Sequence, residues 1–156
     1  FKGNVTGSTH DGFGWRNVSD PEVLDNFAKT LSNKILNYKS DIIWTETEEM
    51  DDAEIAFISY GTVSRAASKT VELARERGIK AGNYRLVSVW PFPHEEIREL
   101  SKNVDKIIVL ENNLGQINSY VRSAALDNTE VEFLSPEILG TFFDPDYILR
   151  QVKEVL

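Results

Sequence analysis

Residues 54–67 read Glu-Ile-Ala-Phe-Ile-Ser-Tyr-Gly-Thr-Val-Ser-Arg-Ala-Ala. Ile55 to Tyr60 is a short, nearly continuous apolar run that stops at Gly61, the pattern of a strand buried on both faces of a parallel sheet. Beyond it Val63, Ala66, Ala67, Thr70, Val71 and Ala74 share one helical face, Thr62 can cap the helix, and Gly78 supplies a left-handed stop. The unit is strand, turn, helix, and the same alternation repeats downstream. Tyr84 to Val89 reads as a second strand, Trp90-Pro91-Phe92-Pro93 as a rigid turn, and Pro93 as the start of a helix through Ile97 and Leu100. Lys106 to Leu110 is a third strand, and a helix from Leu114 to Ala125 turns Leu114, Ile117, Val121 and Ala124 inward. Val131 to Leu134 is a fourth strand, and Asp144-Pro145 opens a last helix that uses Ile148, Val152 and Val155. Strands separated by crossovers of helical length predict an α/β three-layer αβα sandwich with a mainly parallel sheet over residues 54–156.

Upstream the pattern changes. Residues 1–20, with Gly3, Gly7, Gly12 and Gly14 among Asn, Ser, Thr and Asp, carry neither periodicity and read as a linker. Ser19 or Asp20 then caps an amphipathic helix with Pro21 in its first turn and an apolar stripe of Leu24, Phe27, Ala28, Leu31, Ile35 and Tyr38, ending near Lys39. Thr45 to Asp52 holds Glu46, Glu48, Glu49, Asp51 and Asp52 and reads as a solvated acidic turn, so that residues 21–53 form a connecting helix and turn. The start at Phe1 rather than methionine reads as a piece of something longer.

Composition narrows the function classes. The 156 residues are 41% hydrophobic, enough for one ordinary domain with a real core. The chain has no cysteine, so thiolate metal sites, cysteine nucleophiles and iron–sulfur clusters held by this chain are excluded. A formal charge of −8, from 17 Lys plus Arg against 25 Asp plus Glu, argues against nucleic acid. No run approaches the length of a membrane span and no secretory leader is visible, which predicts a cytoplasmic protein without membrane contact.

In an open parallel sheet ligands sit outside the carboxyl ends of the strands, which singles out the loops at Gly61-Thr62, Trp90 to His94 and Glu111 to Gln116. Gly61, Thr62 and Arg65 bring a glycine, a hydroxyl and a guanidinium to a helix N-terminus, where free amides favour anions; the same residues could be an ordinary capped strand exit. No Gly-Lys-Ser/Thr or glycine-rich dinucleotide fingerprint follows. Glu111, Asn112, Gly115 and Gln116 offer a carboxylate and amides that could orient a ligand or a partner's loops, or could simply close a turn. His10 and His94 have no local partner suited to catalysis, and no pair of histidines stands at metal-ligand spacing. The sequons Asn4-Val5-Thr6 and Asn17-Val18-Ser19 read as chance matches. Trp90 reads as core or interface.

Four segments in order, Gly61-Thr62-Val63-Ser64-Arg65-Ala66-Ala67, Val71 to Lys80, Trp90-Pro91-Phe92-Pro93 and Glu111-Asn112-Asn113-Leu114-Gly115-Gln116, resemble the C-terminal, transketolase-C-terminal-like domain of the 2-oxoacid:ferredoxin oxidoreductase alpha subunit. Thr6 to Gly14 resembles the segment that joins that domain to the pyrimidine-binding domain before it. The resemblance implies oxidative decarboxylation of a 2-oxoacid, with 2-oxoglutarate the expected substrate, by thiamine diphosphate with Mg. Coenzyme A takes the acyl group and iron–sulfur clusters pass electrons to ferredoxin. None of these cofactors is expected on this chain, which lacks the glycine-aspartate-glycine diphosphate motif and is expected to be inactive alone. Its implied partners are the beta subunit, the N-terminal pyrimidine-binding domain and a second copy in a homodimer. No catalytic residue is implied here; Gly61, Thr62, Arg65, Trp90, Pro91, Glu111, Asn112, Gly115 and Gln116 are the candidates for contacts to partner domains or the active-site entrance. The competing readings are a free-standing flavodoxin-like module for a nucleotide or phosphate, and the C-terminal domain of another thiamine diphosphate enzyme.

Overall fold

The computed structural model describes residues 7–154 and divides into two compact units, 1–42 and 43–156. In the first, residues 9–17 are not an open linker. Asp11 Oδ1 accepts hydrogen bonds from the amides of Phe13 and Trp15, both at 3.0 Å. His10 and Arg16 form an antiparallel bridge, and the Asn17 amide donates to the Thr9 carbonyl at 3.0 Å. One carboxylate thus satisfies two amides and closes a tight turn that hydrophobic periodicity does not register. The first sequon, at Asn4, lies outside the described residues.

Helix α1, Pro21–Leu36, begins as expected: Asp20 Oδ1 accepts from the Glu22 amide at 2.9 Å and the Val23 amide at 3.5 Å. It ends three residues early, and a single turn, α2, Lys39–Ile42, follows. None of the residues of α1 is buried.

The second unit is a five-stranded sheet in the order β1-β3-β2-β4-β5. Its elements are β1 (Thr45–Glu48), β2 (Ile55–Tyr60), α3 (Val63–Arg75), β3 (Ala81–Leu86), α4 (His94–Leu100), β4 (Lys106–Leu110), α5 (Asn118–Ala124), β5 (Glu130–Leu134) and α6 (Pro145–Glu154). Four strands are parallel, as the βα alternation predicts. The fifth corrects the expectation for the acidic stretch: Thr45–Glu48 is not a turn but an edge strand antiparallel to β3, with Glu46 opposite Arg85 and Glu48 opposite Asn83. An edge strand needs only one pairing partner and tolerates charge, so tertiary context overrides the poor strand propensity of Thr-Glu-Thr-Glu.

Alternation along β2 sorts the core into two layers. Ala56 and Ile58 face Ile97, Leu100, Val121 and Ala124 of α4 and α5, whereas Ile55 and Phe57 face Val63, Ala67, Val71, Ile148 and Val152 of α3 and α6. Helices on both faces explain why β2 and β4 read as unbroken apolar runs.

Two boundaries move, and one side chain changes place. β3 lies at Ala81–Leu86 rather than 84–89, because the Val87 and Ser88 amides leave the sheet and donate to the Trp44 carbonyl. α5 starts at Asn118, and Leu114, expected inward, is 86% exposed on the preceding turn. Trp90 is not core: it is 66% exposed before a cis peptide bond to Pro91, while Phe92 fills the interior. Ile148 and Val152 of α6 are buried as expected, and Val155 lies outside the described residues.

Arg75 fastens the β1–β2 connection to the end of α3. Its Nε donates to the Ala81 carbonyl at 2.8 Å, and its Nη2 to the Glu49 carbonyl at 2.6 Å and the Asp52 carboxylate at 2.7 Å. The hydrogen bond from Arg75 holds the Asp52 carboxyl below its ordinary value. A depressed acid stabilises the fold above its unfolded value, and that contribution is lost as pH falls through the folded one. In an Arg75→Ala variant the carboxyl titration of Asp52, followed by carbon NMR, is expected to move up to the ordinary aspartate range. An unchanged titration would break the link.

Candidate functional site

All four parallel strands leave at one end of the sheet. Because β3 and β4 flank β2 on opposite sides, the connections from β2 and β4 part there, to α3 on one face and α5 on the other. Such a switch point is where doubly wound sheets hold ligands.

Here the floor of that crevice is filled by the protein's own carboxylate. Glu111, the first residue after β4, is fully buried. Its Oε1 accepts from the Asn118 amide at 2.8 Å; its Oε2 accepts from the Ile117 amide at 2.9 Å, the Asn113 side-chain amide at 3.0 Å and the Tyr60 hydroxyl at 3.1 Å. Ile117, at the cap of α5, has no side chain that could accept, so Glu111 supplies the missing acceptor to the first turn. Asn113 turns its Oδ1 to the Gly115 and Gln116 amides, at 2.7 and 3.1 Å, and Gly115 takes a φ of +90°, which suits glycine. Burial first, and the Glu111 charge after it, push the Tyr60 hydroxyl above its ordinary value. Glu111 is therefore a capping and packing group rather than one free to meet a ligand.

Asn112 points the other way. Its amide donates to the Thr141 carbonyl at 2.7 Å and its Oδ1 accepts from the Gly140 amide at 2.8 Å, tying the loop after β4 to the loop after β5.

Two clefts flank the turn between β2 and α3. One, of about 490 Å³, is bordered by Thr62, Arg65, Asn112, Thr141 and Phe142. The other, of about 690 Å³, lies between α3 and the edge of the sheet, with Gly61, Thr62, Ser64 and Arg65 on one wall and Glu46, Glu48, Asn83 and Arg85 on the opposite side. Above it α3 packs on β2 and β3. Thr62 does not cap α3 with its side chain: its backbone is already helical, at φ −70° and ψ −25°. Gly61 takes a φ of +57°. Arg65 is exposed, and its guanidinium meets no acceptor among the described residues.

The structure thus brings Gly61, Thr62, Arg65 and Asn112 together around two clefts. It leaves Trp90, Pro91, Glu111, Gly115 and Gln116 off both. Sequence reading missed Asn83, 4% exposed, whose Oδ1 accepts from the Ser59 hydroxyl at 2.8 Å. The signal was a lone carboxamide inside an otherwise buried strand, hidden by starting β3 three residues late.

Residues 53–144 match the family described as pyruvate:ferredoxin oxidoreductase core domain II. The chain belongs to that family. Relatives of this core domain II chain include the 2-oxoglutarate synthase subunit KorA of Methanothermobacter marburgensis, 41% identical over 148 residues, which are 95% of this chain and 39% of the relative. The chain therefore spans about two fifths of the length of that curated relative. Among solved structures, a 2-oxoglutarate:ferredoxin oxidoreductase from Magnetococcus marinus matches over 98% of this chain and 26% of its own, with a TM-score of 0.77 at 23% identity. A split-gene transketolase matches over 71% of this chain and 40% of its own, with a TM-score of 0.61 at 13% identity. These two likenesses speak to fold and bear out the transketolase-like α/β sandwich. Family membership overturns the reading of a free-standing flavodoxin-like module.

The core domain II residues do not fit thiamine diphosphate with Mg at the switch crevice: a buried carboxylate already occupies its floor, where a diphosphate would meet like charge. Among the described residues no cluster of three or more His, Asp or Glu could hold a metal ion, and no helix is long and apolar enough to cross a membrane.

Proposed function

We propose that this chain is the C-terminal part of the alpha subunit of a 2-oxoglutarate:ferredoxin oxidoreductase, and that its role is to support, through assembly, chemistry carried by other domains. The observation that carries this reading is the 41% identity to a 2-oxoglutarate synthase subunit over nearly the whole chain. In this reading residues 1–20 lead from a pyrimidine-binding domain, 21–53 connect, and 54–156 are the supporting domain. The enzyme works in the cytoplasm, with this chain partnered by the beta subunit and by a second copy of itself. Thiamine diphosphate, Mg and iron–sulfur clusters lie elsewhere in it, and coenzyme A and ferredoxin are met by the whole complex. Gly61, Thr62, Arg65, Trp90, Pro91, Glu111, Asn112, Gly115 and Gln116 serve contacts to neighbouring domains or the active-site entrance. For Glu111 and Gly115 that service is indirect, through holding the loop. The exposed Trp90, Leu114 and Phe142, at 66%, 86% and 95%, supply apolar surface of the kind an interface buries.

The test is reconstitution. The chain, alone and joined to the preceding alpha-subunit segment with the beta subunit, is assayed for coenzyme A-dependent reduction of a viologen dye by several 2-oxoacids. Activity confined to the assembled form, with 2-oxoglutarate preferred, is expected. Preference for another 2-oxoacid would overturn the substrate, and full activity of an assembly lacking residues 54–156 would overturn the supporting role.

A further inference from the structure

We propose that the larger cleft, between α3 and the β1 edge of the sheet, is an accessory site for a small phosphorylated molecule. It is separate from the filled crevice between β2 and β4, and it shares Gly61, Thr62 and Arg65 with the contact surface proposed above. Donors without acceptors converge on this cleft. Asn83 is 4% exposed and lines it; its Oδ1 is engaged by Ser59, while its amide nitrogen meets no acceptor among the described residues. An anion's oxygen in the cleft would give that amide an acceptor. Beside it on β3, Arg85 Nε is buried and also without a partner, while the Nη1 of the same guanidinium donates to Glu46 at 2.8 Å.

The opposite wall adds a second, independent set of donors. Helix α3 has 13 residues, no acidic residue in its first turn and no side-chain cap, so its positive dipole end remains open, although the Arg65 amide already donates to the Thr62 carbonyl at 3.3 Å. Arg65 stands in that first turn, and no carboxylate among the described residues pairs with it. Of the carboxylates lining the cleft, Glu46 is paired with Arg85, while Glu48 accepts from the Ser68 hydroxyl at 2.8 Å and keeps its charge, so the charged lining is balanced and the uncharged donors favour the anion. The Arg65 guanidinium, the Asn83 carboxamide donor and an uncapped helix end suit a tetrahedral oxyanion. A cleft of about 690 Å³ has room beyond one phosphate, and the hydroxyls of Thr62, Ser64 and Ser68 suit a polar body attached to it.

The probes are pyrophosphate and inorganic phosphate, with succinate as a carboxylate control, titrated into the whole chain by calorimetry and by amide NMR. Saturable binding of pyrophosphate is expected, with shifts at residues 61–65 and at the Asn83 side-chain amide. Arg65→Gln, at an exposed position that leaves the fold intact, should weaken it about tenfold, or ~1.4 kcal/mol. Asn83→Asp keeps the acceptor for Ser59 but sets a negative charge against the ligand, and should abolish binding. The proposal fails if pyrophosphate does not saturate at millimolar concentration, if Arg65→Gln binds as tightly as the parent, or if succinate binds as well.

Discussion

Glu111→Ala lowers the stability of the α/β unit by roughly 3 kcal/mol, because it leaves four part-buried donors from both sides of the β2–β4 junction without their acceptor. The carboxylate is fully buried and accepts four hydrogen bonds, two of them from the opening amides of α5. Glu111→Gln keeps the shape but turns an NH₂ group toward amides that are themselves donors, so at least half of the loss should persist. Urea unfolding with an unchanged slope is the measurement. A loss below ~1 kcal/mol for both variants would mean that water replaces the carboxylate, and the crevice would then be open rather than filled.

The second large effect is expected at Gly82, in β3. A Cβ there would lie 2.4 Å from Met50 Sδ and 2.7 Å from the Glu49 carbonyl oxygen. The sulfur can swing aside; the carbonyl, part of a turn that Arg75 holds through the same oxygen, cannot. Gly82→Ala should therefore cost about 2–3 kcal/mol, at the upper end of overpacking effects. Combining it with Met50→Ala should give less than the sum of the two single losses, since only the sulfur contact is shared. Full additivity in thermal unfolding would show that the backbone contact alone decides the cost.

The architecture was legible because β2 and β4 are buried on both faces and α3 carries a clean stripe of small apolar residues; both patterns are local in sequence. What sequence reading lost was set by contacts distant along the chain. Thr45–Glu48 becomes a strand only because β3 offers it an edge, 39 residues away in sequence for the Glu46–Arg85 pair. Leu114 stays out of α5 because Asn113 bonds the amides just after it, and the helix obtains its cap from Glu111 instead.

The candidate site divides along the same line. Gly61, Thr62 and Arg65 could be placed from the strand–helix junction alone. The decisive roles of Glu111 and Asn83 could not, since each depends on a partner brought by another strand: Tyr60 for the first and Ser59 for the second. A glutamate in an amide-rich loop reads as a ligand contact or as a cap with equal ease until its burial is known.

Both outer strands of the sheet carry acid: Glu46 and Glu48 on β1, Glu130 and Glu132 on β5, the latter two sharing Lys106 at 3.1 and 3.3 Å. A second molecule adding its own outer strand edge-on would set carboxylates against carboxylates, so at neutral pH the sheet is guarded against continuing from one molecule into the next. The proposed pairing of two copies must then be built from helices and loops.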